Sequence, residues 1–150
     1  MKIAVGSDEK SYLTDVVVQE LGERGHDVTL YGPLAGVDAA WPIVARDVAE
    51  AVAGGEAQEG ILFCWTGTGV SIAANKVHGV RAALCADAET ARGARLWNDA
   101  NILCLSLRRI SETIAMEILK AWFSTTYQPN PEDDTCLSQV AEIEKAYSAS

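Results

Sequence analysis

The sequence predicts a three-layer α/β/α sandwich built on a five-stranded parallel sheet, Rossmann-like in its winding. Three observations predict it. Short, nearly continuous apolar runs rich in Ile, Val, Leu, Ala and Cys read as strands covered on both faces. Between them lie amphipathic segments with the apolar period of a helix. Glycines punctuate the passage from the first two helices to the strands that follow.

The elements follow in order. Lys2–Ser7 is the first strand. Leu13, Val17 and Leu21, at i, i+4 and i+8, mark one face of the first helix, which Gly22 and Gly25 close. Asp27–Tyr31 is the second strand, and Val44, Val48 and Val52 repeat the helical spacing before Gly54 and Gly55. Gly60–Trp65 is the third strand, running into a loop, Thr66–Ser71, that opens a helix. Val80–Ala86 and Ile102–Leu107 are the fourth and fifth strands. Ile114, Ile118 and Trp122 define the next helix. After Pro129-Asn130-Pro131 comes a polar segment and a helical tail carrying Leu137, Val140 and Tyr147. The chain thus reads as one domain, 1–150, with an α/β core over 1–128 and a C-terminal arm over 129–150 suited to packing on a partner subunit.

Composition narrows the function. Of 150 residues 49% are hydrophobic and 22% charged, enough for one sizeable core and too little charge bias for disorder. Twelve Lys and Arg against 21 Asp and Glu leave a net charge of −9. No basic stripe exists to neutralise nucleic-acid phosphates or to dock on anionic lipid. No run approaches the ~18 apolar residues of a membrane span, and the first residues lack a signal peptide's apolar core. A cytoplasmic protein is expected. Four cysteines, Cys64, Cys85, Cys104 and Cys136, form no CxxC pair and no cluster with His26 or His78, so free thiols, three of them core residues, and no metal site are expected.

In open α/β sheets ligands bind beyond the carboxyl ends of the strands, where the winding reverses. There the sequence places Ser7-Asp8-Glu9, then Cys64-Trp65-Thr66-Gly67-Thr68-Gly69-Val70-Ser71, then Asp87, then Arg108-Arg109. If strands one and three are neighbours, Asp8 and Cys64 face one crevice. The two glycines of the Thr66–Ser71 loop let backbone amides approach a phosphate or a developing oxyanion. Several phosphate devices are excluded. GxxxxGKS/T is absent, Gly67-x-Gly69 lacks a third glycine, a Cys-x5-Arg phosphatase needs arginine where Val70 stands, and a phosphoacceptor receiver needs Asp where Cys64 stands. Plainer readings stand beside these: Cys64 as a buried hydrophobe, Asp8 as a helix cap, Trp65 and Trp97 as core fillers.

The block from Cys64 to Val77 (CWTGTGVSIAANKV), followed by Gly79–Cys85 and Asn98-Asp99-Ala100-Asn101, resembles the type B ribose-5-phosphate isomerases and the related galactose-6-phosphate isomerase subunits. Gly6-Ser7-Asp8 and Trp41-Pro42, where the family commonly has Tyr-Pro, extend the resemblance over nearly the whole chain. It implies an aldose–ketose isomerase that works through a cis-enediolate, without metal or organic cofactor. It also implies a homodimer or dimer of dimers with sites at the subunit interface. By the same resemblance Cys64 carries the proton between C1 and C2, with Thr66 beside it. The backbone of Thr66, Gly67, Thr68, Gly69, Val70 and Ser71 stabilises the enediolate. Asp8 holds sugar hydroxyls, Asn98 contacts substrate and Arg108 helps bind phosphate.

The departures are as informative. Glu9 and Trp97 stand where the family has histidines, the second credited with ring opening, and Trp65 stands where it has glycine. The C-terminal stretch Glu132–Gln139, normally basic, holds no basic residue. A phosphate dianion needs several charged donors. An isomerase with a divergent substrate, a tetrose derivative or other short sugar that is weakly charged or unphosphorylated, is therefore the leading expectation. A non-catalytic sugar-binding homologue or an inactive subunit of a heteromer is the alternative.

Overall fold

The computed structural model describes residues 1–148; the last two residues of the expected arm lie outside the described residues. Five strands, β1 (Lys2–Ser7), β2 (Asp27–Tyr31), β3 (Glu59–Cys64), β4 (Ala82–Leu84) and β5 (Ile102–Ser106), form one parallel sheet in the order β2-β1-β3-β5-β4. Six α-helices surround it: α1 (Tyr12–Glu23), α2 (Trp41–Ala53), α3 (Thr68–Ala74), α4 (Ala88–Asn98), α5 (Glu112–Ser124) and α6 (Pro131–Ala146).

The two core layers follow from the period of two along each strand. Ile61 and Phe63 of β3, with Leu103 and Leu105 of β5, pack under α1, α4 and α5, where Leu13, Val17, Leu21, Ile118 and Trp122 are buried. Leu62 and Cys64, with Cys104, face the opposite layer, where Val44, Val48 and Val52 of α2 meet Val70 and Ala74 of α3. The three central strands are buried along their length, save Lys2 at the start of β1. β2 and β4 form the two edges and are partly exposed, so the expectation of strands covered on both faces fails there.

The fourth strand is also shorter than its apolar run. The Arg81 backbone N–H donates to the Asn101 side-chain carbonyl rather than to a neighbouring strand, at 2.8 Å, and pairing with β5 covers only Ala82–Leu84. Asn75 clamps the strand's outer edge: its amide nitrogen donates to the Ala82 carbonyl at 2.9 Å and its oxygen accepts the Ala82 N–H at 2.8 Å. Asn101 also donates to the Gly79 carbonyl, and Arg81 pairs with Asp99. Much of the sequence block over 75–101 therefore stitches the β4 edge together.

Helix starts are marked by side chains that accept orphan backbone N–H groups. Ser11 caps α1 in a reciprocal box with Thr14, Asp87 caps α4, Ser111 caps α5 and Asn130 caps α6. Ser11, not Asp8, is thus the cap of the first helix. Cys64, Cys85 and Cys104 are buried free thiols, whereas Cys136, on α6, is exposed. The helix α6 buries no residue, and Val140, Ile143 and Tyr147 stand exposed along it.

Candidate active site

β1 and β3 are paired in parallel, Ser7 opposite Phe63, and the winding reverses between them. Their carboxyl ends open into a cavity of about 290 Å³ lined by Asp8, Trp41, Cys64, Trp65, Thr66, Thr68 and Gly69. The Cys64 thiol closes the buried strand, and the Trp41 and Trp65 rings form walls without sealing the space: they are 41% and 59% exposed. Asp8 Oδ1 is buried and has no hydrogen-bond partner. A buried carboxylate oxygen left without a donor costs free energy, so its persistence beside a cavity points to a donor brought by a ligand.

The glycine loop is shaped by two steric demands. Gly67 holds a φ of 75°, and a Cβ there would lie 2.6 Å from Leu84 Cδ1 and 3.0 Å from the backbone of Leu105, so only glycine lets the loop hug β5. At Gly69 a Cβ would press on the Trp41 ring at 3.0–3.2 Å. The Thr66 and Thr68 hydroxyls share a hydrogen bond of 2.7 Å at the cavity wall. Val70 is buried, so its side chain belongs to the core. Ser71 is half-buried in α3. Glu9 is exposed and does not line this cavity; its backbone N–H and carbonyl are held by the Ser7 hydroxyl.

A second cavity, of about 400 Å³, adjoins the first and is lined by Thr66, Ser106, Arg108 and Arg109. Thr66 belongs to both. The turn that carries the arginines is tied to the end of β3: the Leu107 N–H donates to the Cys64 carbonyl, and the Arg108 N–H and Ser106 hydroxyl both donate to the Trp65 carbonyl, each at 3.0 Å.

Trp97 and Asn98 do not join Cys64 within one chain. They line cavities along the β4 edge instead, one of about 650 Å³ with Leu84, Glu89 and Thr90, another of about 490 Å³ under α6. The reason is topological. A helix that follows a parallel strand runs back toward the sheet's amino end, and the 11 residues of α4 carry its last residues about 16 Å along that path. The Trp97 ring also folds back over Gly93, where a Cβ would lie 2.7 Å away. The acidic tail is elsewhere too. Glu132, Asp133 and Asp134 occupy the first turn of α6, where carboxylates complement the helix dipole, and α6 lies over Val80–Ala83 rather than over Arg108. Among the described residues of one chain, the acidic first turn of α6 is therefore not set against the arginines.

Sequence reasoning missed Trp41 as a cavity residue; its only local signal is the Trp41-Pro42 pair at the start of α2. Burial pushes the Cys85 thiol up to about 12, with the Asp87 carboxylate adding to it, and burial pushes Cys104 up as well. Neither is a thiolate near neutrality. Among the described residues no group of three or more His, Cys, Asp or Glu could hold a metal ion, and no helix is long and apolar enough to cross a membrane.

A cysteine and an aspartate with one unpartnered oxygen thus face one crevice beside a glycine loop, where the winding of the sheet reverses. Residues 3–139 match the family Ribose/Galactose Isomerase, and the chain belongs to that family. It is 41% identical to Escherichia coli ribose-5-phosphate isomerase B over 128 residues, 85% of this chain and 86% of the relative. It is 38% identical to a D-erythrulose-4-phosphate isomerase of Pectobacterium atrosepticum over 130 residues, 85% and 86% of the two chains. The structure of Clostridium thermocellum ribose-5-phosphate isomerase B superposes with a TM-score of 0.92 at 41% identity, covering 99% of this chain and 100% of that one. The resemblance carried by the Cys64–Val77 block is therefore one of membership, and the chain is an isomerase.

Proposed function

We propose that the protein interconverts a four-carbon aldose phosphate and its ketose in the Cys64 cavity. The observation that carries this reading is the buried, unpartnered Asp8 Oδ1 in the same cavity as the Cys64 thiol. Asp8 accepts hydrogen bonds from substrate hydroxyls, which supply the donors it lacks. The Cys64 sulfur takes the proton from C2 of the aldose; the C2–H electrons form the C1–C2 double bond, and the C1 carbonyl electrons move to O1. The C1–C2 double-bond electrons then take that proton back from the thiol at C1, while the O2–H electrons form the C2 carbonyl and the O2 proton passes to O1. The Thr66 hydroxyl and the amides of the Gly67–Ser71 loop stabilise the enediolate oxygens.

Trp97 supports the substrate length. A pentose phosphate closes into a ring that must open before C2 can be deprotonated. A four-carbon aldose phosphorylated at O4 has no hydroxyl placed to close a five-membered ring, so it makes no use of the family's ring-opening histidine. The Trp65 indole, in place of glycine, narrows the same cavity. The D-erythrulose-4-phosphate isomerase among the relatives is consistent with this substrate class. Asn98, displaced toward the amino end of its own sheet, reaches a Cys64 cavity only from a second copy. The exposed apolar face of α6 supports such a homodimer.

The test is deuterium exchange in D2O with D-erythrulose-4-phosphate and ribose-5-phosphate. Incorporation at C1 or C2 at least tenfold faster with the four-carbon substrate is expected, and loss of exchange in Cys64→Ala. Faster exchange with ribose-5-phosphate would overturn the substrate class; exchange in Cys64→Ala equal to wild type would overturn the proton-transfer role.

A further inference from the structure

We propose that Arg109, together with Arg108, forms a guanidinium pair that holds the anionic end of the substrate, and that Arg109 is the residue by which this chain makes up for the basic C-terminal segment it lacks. The sequence contains seven arginines. Five of them, Arg24, Arg46, Arg81, Arg92 and Arg95, are engaged with carboxylates. The other two, Arg108 and Arg109, are adjacent, exposed and without a carboxylate partner among the described residues, in a chain with nine more negative than positive charges. Both line the 400 Å³ cavity beside Thr66 and Ser106.

Position makes the pair a binding site rather than a solvated surface. Its backbone is tied to the catalytic strand by the hydrogen bonds from Leu107 and Arg108 to the carbonyls of Cys64 and Trp65, and the Arg109 N–H donates to the Ser106 carbonyl at 3.3 Å. Ile110, buried, anchors the turn from the other side. Because Thr66 lines both cavities, one short ligand can place its reacting carbons at Cys64 and its charged end between the two guanidiniums. Two planar forks of N–H donors match a tetrahedral oxyanion better than one, and they bind it most strongly as a dianion. The ligand class is thus a small molecule ending in a phosphate. A sulfonate offers the same three oxygens with one charge fewer.

The inference rests on the isomerase reading only for the identity of the molecule that carries the anion, and the test separates the two. Inorganic phosphate and methanesulfonate are titrated by calorimetry into the full chain, into Arg109→Gln and Arg109→Lys, and into Cys64→Ala. Wild type and Cys64→Ala should bind phosphate alike and more tightly than methanesulfonate. Arg109→Gln should bind phosphate at least tenfold more weakly, with Arg109→Lys between. Thermal unfolding of each variant checks that the turn is intact, since an exposed side chain without partners carries no packing. In turnover, Arg109→Gln should raise KM for a phosphorylated sugar at least tenfold while kcat changes less than threefold. Equal phosphate affinity in Arg109→Gln and wild type, or no phosphate binding by wild type, overturns the proposal whatever the reaction proves to be. Tighter binding of methanesulfonate than of phosphate would overturn the dianion assignment.

Discussion

At the amino end of the sheet, Glu59 opens β3 only 6% exposed and fully engaged. Its Oε1 pairs with Arg95 at 2.7 Å and its Oε2 accepts the Trp122 indole N–H at 2.8 Å. Arg95 is satisfied in turn by the carbonyls of Ala100 and Thr125, and its guanidinium lies 5.0 Å from the Trp122 ring centroid. At the carboxyl end, Asp8 follows β1 with a buried oxygen that no donor reaches. The same sheet thus completes one buried carboxylate and leaves another incomplete. A closed network specifies packing; an open one stores interaction free energy for something that arrives later.

That contrast can be broken by substitutions at either end. The largest effect belongs to Cys64→Ala, which should lower turnover by about 10²–10⁴ through loss of the proton carrier. Its thermal midpoint should move by no more than about 4 °C, as for a small core truncation in a chain of this size. Parallel loss of fold and activity would show that the carboxyl end, too, is structural. Next comes Glu59→Gln, which leaves Arg95 partly buried without its counter-charge. Denaturant unfolding should give a loss of about 3–5 kcal/mol, with kcat/KM of the folded fraction unaltered. A fall in kcat/KM under folding conditions would mean that the two ends are coupled.

Asp8→Asn sharpens the contrast. It neutralises a half-buried carboxylate whose Oδ1 has no partner, so stability should hold or rise by up to about 1 kcal/mol. Activity should fall about tenfold or more, because a hydrogen bond to a charged group contributes roughly 1.5–3 kcal/mol. Lost stability with retained activity would reverse the assignment of that oxygen.

The smallest effect is a pH dependence. Burial lifts the Cys85 thiol from its ordinary 9.0 to about 12. Between those values the unfolded chain releases a proton that the folded chain keeps, so stability present below pH 9 is lost as pH rises, by about 1.4 kcal/mol per unit. Between pH 8 and pH 10 the loss in wild type should exceed that in Cys85→Ala by about 1 kcal/mol. Equal losses in the two proteins would show that Cys85 is not the group responsible.

Much of this was legible in the chain. The strands declared themselves as apolar runs because the three central ones are buried on both faces. The condition that set Asp8 and Cys64 in one crevice, adjacency of the first and third strands, is met by the β1–β3 pairing. The edges were less legible. The apolar run at Val80–Ala86 overstates β4, since Val80 is buried in the α2–α3 layer and the Arg81 N–H goes to the Asn101 side chain rather than to a strand. Trp41 gave no signal beyond the Trp41-Pro42 pair, because its place in the cavity depends on how α2 crosses the sheet to meet Gly69. The acidic run at Glu132–Asp134 forms the first turn of α6, which within its own chain lies over Val80–Ala83.

The sequence by itself determined the winding, the core faces of the helices, the glycine loop and the residue types capable of enediol chemistry. These depend on local periodicity and on the special conformations open to particular side chains. Tertiary structure decided which charged groups find partners. It paired five arginines and left Arg108 and Arg109 open; it completed Glu59 and not Asp8; it sent Asn98 to the far end of its own sheet. Charge and hydrogen-bond satisfaction depend on distances between residues remote in sequence, and only the packed chain sets those distances.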